Sequence, residues 1–79
     1  MKAKVIITLK NGVLDPQGKA IEGALTSLGF SGVDNVRQGK FIELDVEAAN
    51  SDEAQATVEA MCEKLLSNTV IENYRVEVE

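Results

Sequence analysis

From Lys2 to Lys10 the chain alternates, with Val5, Ile7 and Leu9 on one side and Lys4, Ile6, Thr8 and Lys10 on the other. That period of two predicts a strand with one buried face, which Asn11 and Gly12 end. The period then changes. Ala20, Ile21, Ala24, Leu25 and Leu28 recur at helical spacing, framed by Asp15 as N-cap, Pro16 at the first helical position and Gly29 as a left-handed stop. Gly18 and Gly23 each lower helicity by up to about 1 kcal/mol, so tertiary contact or close packing is expected around them.

Alternation returns after Phe30. The pattern predicts a short strand over residues 33–37, a tight turn at Gln38-Gly39 and a longer strand over residues 40–47, with Ile42, Leu44 and Val46 facing the core. A second helix follows. Asn50 with Glu53 can form a capping box or Ser51 can cap alone, Asp52 and Glu53 suit the positive end of the dipole, and Ala54, Val58, Met61, Cys62, Leu65 and Leu66 make the buried stripe. Asn68 is the expected left-handed exit, and Tyr74, Val76 and Val78 mark a final strand. The order β-α-β-β-α-β predicts one α+β domain over residues 1–79, a ferredoxin-like four-stranded antiparallel sheet with two helices on one face.

In that topology the first strand is central. Lys2, Lys4 and Lys10 then lie between Glu43, Asp45 and Glu47 on one side and Arg75, Glu77 and Glu79 on the other, a charge pattern that stabilises the open face and keeps it wet. Ile6 and Phe41 interrupt it. These two apolar side chains and the free sheet edge suggest self-association through the sheet.

Composition narrows the functional classes. With 79 residues, no histidine, no tryptophan and one cysteine, the chain can build neither an internal disulfide nor a histidine or Cys-rich metal site. A compact monomer of 8.5 kDa would expose about 4,700 Å² and bury only about 60% of its unfolded surface, too little for a deep substrate cavity. Stability through a partner is therefore expected. No apolar run is long enough to span a membrane, the start is strand-like and not a secretory leader, and the lone thiol fits a reducing cytoplasm. The net charge of −5 disfavours a nucleic-acid backbone binder, and Phe41 alone is no stacking platform.

Catalytic chemistry finds little material. Without histidine neither a Ser-His-Asp nor a Cys-His arrangement exists in the chain. Cys62 reads as a small core hydrophobe, and Glu59 and Glu63 as a solvated helix face beside Lys64. Gly12, Gly18 and Gly23 do not make a phosphate-binding loop, even with Lys19 beside Gly18. The loop before Pro16 can present Asn11, Val13 and Leu14 outward or fold them over the core, and Lys10, Lys19, Arg37 and Lys40 form a loose basic set without an anion nest.

The runs GVLDPQGKAIEGALTSLGF, VRQGKFIELDV and MCEKLLSNTVIENYRVEV, in this order and over nearly the whole chain, closely resemble the PurS family. That family is the small subunit of phosphoribosylformylglycinamidine synthase where the enzyme is split into separate chains. The resemblance implies a cytoplasmic, non-catalytic subunit of an ATP-dependent, glutamine-using ligase of purine biosynthesis. It implies assembly as a homodimer or higher homo-oligomer with a large synthetase subunit (PurL) and a glutamine amidotransferase subunit (PurQ). ATP and Mg are then used by the complex and no cofactor is bound by this chain alone. The family motif corresponds to Gly12, Val13, Leu14, Asp15, Pro16, Gln17 and Gly18, then Arg37, Gly39 and Lys40, where the resemblance places partner contacts. Asn11 and Thr69 stand where the family more often has proline, a change in local rigidity. The alternatives are a stand-alone ferredoxin-like regulatory module that binds a small molecule, and an RNA-binding scaffold.

Overall fold

The computed structural model describes residues 1–79. Strand β1 runs Lys2–Leu9, helix α1 Pro16–Ser27, strand β2 Gly39–Asp45, helix α2 Ser51–Met61 and strand β3 Glu72–Val78, with one π-helical turn, Cys62–Leu66, continuing α2. The sheet has three strands in the order β2-β1-β3, both pairings antiparallel. Val5 pairs with Ile42 on one side and Val76 on the other, and Ile6 with Phe41 and Arg75. One face of β1 is therefore wholly buried, at Ala3, Val5 and Ile7, while the opposite face stays open.

The four-stranded ferredoxin-like sheet expected from the sequence does not form. Residues 33–37 are not a strand, and the expected hairpin through Gln38-Gly39 is absent. Side chains have taken the amide groups a ladder would need: the Glu22 carboxylate accepts from the Val36 N–H at 3.2 Å and the Asp15 carboxylate from the Gln38 N–H at 2.8 Å. Asn35, at φ 54°, further breaks the extended run.

Nor do two helices cover one face. Ala54, Val58 and Cys62 of α2 are fully buried against β1 and β3, making with Ala3, Val5, Ile7, Val46 and Val76 a core of eight residues. Helix α1, by contrast, projects from the end of the sheet and packs substantially on neither the strands nor α2. The molecule is consequently 50 × 25 × 15 Å with a radius of gyration of 15.8 Å, against about 12 Å for a compact chain of this length.

Both helix starts follow the sequence signals. Asp15 accepts from the Gly18 N–H at 2.9 Å, and Asn50 from the Glu53 N–H at 2.8 Å. Gly29 ends α1 at φ 97°, as its left-handed role requires. The exit of α2 differs from expectation. The π turn rotates Leu65 out of the buried stripe to 82% exposure, and the Ser67 N–H and hydroxyl both donate to the Cys62 carbonyl at 3.0 Å. Asn68 is no left-handed stop; its side chain accepts from the Val70 N–H at 3.1 Å in a local turn.

Candidate partner-binding site

The root of the α1 arm gathers the residues marked out by the sequence. Asp15, the most buried charged residue of the chain, accepts at once from Gly18, at the helix start, and Gln38, beside β2. These donors, Gln38 foremost, hold its carboxyl below the usual carboxylate range. Gly18 is required there, because a Cβ would collide with the Val36 carbonyl and the Asp15 carboxylate. The Arg37 guanidinium completes the clasp, donating to the Val13 and Lys10 carbonyls at 3.2 Å and reaching the Leu9 carbonyl at 3.5 Å.

Two shallow depressions flank this clasp. One, of about 200 Å³, is lined by Ile7, Leu9, Asp15, Gln17, Gln38, Gly39, Lys40 and Glu72. Across it Lys40 pairs with Glu72 at 3.3 Å. The Asn68 N–H donates to Glu72 at 2.6 Å and, ahead of Lys40, lowers the Glu72 pKa. The other, of about 300 Å³, is bounded by Gly12, Val13, Leu14, Asp15, Lys19, Asn35, Val36 and Arg37. Leu14 stands 73% exposed on its rim, while Val13 is half-buried and Pro16 exposed.

Thus Gly12 to Gly18, Arg37, Gly39 and Lys40 share the root of the arm. Ile6 and Phe41 lie elsewhere, paired with each other on the open sheet face, Ile6 half-buried and Phe41 exposed. Around them Lys2 pairs with Glu43 at 2.9 Å, Lys4 with Glu79, and Arg75 with Glu77 at 3.1 Å. Sequence reasoning missed Glu22, Gln38 and Glu72 at the arm's root. Their roles run through backbone amides or a cross-strand ion pair, which leave no periodic signature.

Burial pushes the Cys62 thiol upward in pKa, and Glu59 and Glu63 add to the shift, so the one thiol is a core group. No group of three or more Cys, Asp or Glu side chains is placed to hold a metal ion. No helix is long and apolar enough to cross a membrane.

An α+β chain with a projecting arm, two shallow clefts at its root and its only thiol shut in the core has the build of an interaction subunit. Comparison with known proteins makes this specific. The family model for PurS, phosphoribosylformylglycinamidine (FGAM) synthase, matches residues 2–79, and the chain belongs to that family. It is 53% identical over 78 residues to the PurS subunit of phosphoribosylformylglycinamidine synthase from Bacillus subtilis, covering 99% of this chain and 92% of that one. The crystal structure of Methanocaldococcus jannaschii PurS, one of the subunits of formylglycinamide ribonucleotide amidotransferase in the purine biosynthetic pathway, superposes with a TM-score of 0.90 at 47% identity, covering 99% of this chain and 94% of that one. A chain in the structure of PurLQS from Thermotoga maritima matches with a TM-score of 0.88 at 38% identity, covering 96% and 93% of the two chains.

Proposed function

We propose that the chain is a non-catalytic subunit of a phosphoribosylformylglycinamidine synthase complex, working in the cytoplasm in purine biosynthesis. The observation that carries this reading is its similarity, over nearly its whole length, to a chain of the Thermotoga maritima PurLQS structure. Its role is to bridge a PurL-type synthetase and a PurQ-type glutamine amidotransferase, and to associate with itself. ATP and Mg are used by the synthetase, not by this chain.

The mechanism is positional. Glutamine hydrolysis releases ammonia at one subunit, and the amide to be aminated is activated at another. Holding the two together raises the effective concentration of ammonia at the synthetase and shortens its exposure to solvent. The arm root, with Leu14 exposed beside the Asp15–Arg37 clasp, supports a contact there with Gly12 to Gly18, Arg37, Gly39 and Lys40 in the partner interface.

Binding tests the bridge. Sedimentation of PurL-type and PurQ-type subunits with Mg, ATP and glutamine is expected to give a joint complex only when this chain is added. Leu14→Asp is expected to weaken that assembly about tenfold or more while leaving the chain folded, because the side chain is already exposed. An equally stable synthetase–amidotransferase complex without the chain would refute the bridging role.

A further inference from the structure

We propose that the depression bounded by Lys19 and Arg37 is the seat of a carboxylate: an Asp or Glu side chain of the synthetase or amidotransferase, carried beside an apolar residue, enters it when the subunits join. This deepens the partner-contact reading of the arm root and rests on it.

Charge is segregated along the chain. Residues 9–40 carry four basic and three acidic side chains, a balance of +1, whereas the remainder carries four basic and ten acidic, a balance of −6. The acids of the arm are already engaged. The Gly18 and Gln38 amides take up the Asp15 carboxylate and the Val36 N–H takes up Glu22, while Asp34 borders neither depression at the root. Lys40 is matched by Glu72 at 3.3 Å. The cations left on the rim of the larger of the two depressions are Lys19 and Arg37.

The fold alone accounts for neither charge. Arg37 is exposed and pairs with no carboxylate, unlike Arg75, which pairs with Glu77 at 3.1 Å. Its two terminal nitrogens donate to the Val13, Lys10 and Leu9 carbonyls, which orient the guanidinium and leave the Nε–H to donate elsewhere. Lys19 stands in the first turn of α1, where the helix dipole disfavours a cation and no acidic residue is present. Helix α2 has the expected acids there, Asp52 and Glu53. The ion pair of Lys19 with Glu22 stretches to 3.9 Å, and the lysine side chain is 68% exposed.

The rest of the lining fits the neighbour of such a carboxylate. Val13, Leu14 and Val36 supply an apolar surface within about 300 Å³, room for a side chain or two and not for a large ligand. A guanidinium already oriented by carbonyls meets a carboxylate with its planar fork and loses little freedom in doing so. A phosphate would call for a nest of backbone amides, but the Gly18 and Gln38 amides at this root are aimed at Asp15.

Assembly with PurL-type and PurQ-type subunits, followed by sedimentation with Mg, ATP and glutamine at about 0.05 M and about 0.5 M salt, tests the assignment. At the lower salt Lys19→Gln is expected to weaken binding about threefold and Lys19→Glu about tenfold, with both losses narrowing at the higher salt as the charges are screened. Circular dichroism and melting temperature are expected to stay unchanged, because the Lys19 side chain is exposed. Arg37→Gln is expected to lose affinity in the same salt-dependent way; a loss that salt does not narrow would make Arg37 a brace of the arm and overturn its place in the site. Lys19 variants that bind as tightly as the wild type, while Leu14→Asp weakens binding, would overturn the carboxylate seat and leave the partner contact standing. A silent Leu14→Asp would overturn the contact itself. Inorganic phosphate that displaces the partner subunits more strongly than chloride at equal ionic strength would give the depression to a free phosphate and overturn the assignment too.

Discussion

Asp15 ties two parts of the chain together with one carboxylate, satisfying a helix start through Gly18 and the approach to β2 through Gln38. Its folded pKa lies below the ordinary value of 3.8, so it stabilises the fold above that value and loses the contribution as pH falls through the lower folded value. Glu72 and Glu79, also lowered, by Asn68 and by Lys4 respectively, act in the same direction. Asp15→Asn is expected to lower the melting temperature at neutral pH and to flatten its fall below about pH 4, read by thermal unfolding across pH. An unchanged acid limb would remove Asp15 from the account. The N-cap half of this arrangement was legible in Asp15-Pro16, because a capping bond is local. Its Gln38 half was not, because a backbone N–H donor 23 residues away has no sequence mark. Gly18 lies between these cases: its cost to the helix signalled a tertiary constraint, and the Val36 carbonyl is the group that imposes it.

Among the elements, the two helices carry similar local signals and meet different fates. Helix α2 is capped by Asn50 and buries Ala54, Val58 and Cys62, so Asn50→Ala is expected to cost about 1 kcal/mol by urea denaturation. Helix α1 has its own cap and apolar stripe yet buries only Gly18. Periodicity states which side of a helix wants cover, but it does not state what covers it or on which chain. The same gap explains the missing fourth strand. Residues 33–37 alternate as a strand would, while Glu22, Asp15 and Arg37 hold that segment along the arm. Strands β2 and β3 have core-facing partners on β1, which is why their period sufficed.

At the scale of the whole molecule, a core of eight residues supports an elongated chain with much exposed apolar surface. Ile7→Ala is expected to cost about 2–5 kcal/mol, since Ile7 is fully buried. For a chain of this size that is enough to populate the unfolded state. Self-association predicts that the melting temperature of the wild type rises with protein concentration, by mass action. A concentration-independent value would count against a stabilising pair. The family was legible from the three runs spanning the chain. The projecting arm was not legible, because the Glu22–Val36, Asp15–Gln38 and Arg37 hydrogen bonds that hold it join residues far apart in the chain.

The central claim is that this chain acts by joining two active subunits. It is tested most directly by measuring formylglycinamidine ribonucleotide formation by PurL-type and PurQ-type subunits, with glutamine and separately with ammonia, in the presence and absence of the chain. The account predicts that omission abolishes most of the glutamine-driven rate and leaves the ammonia-driven rate of the synthetase largely intact. An undiminished glutamine-driven rate without the chain would contradict it.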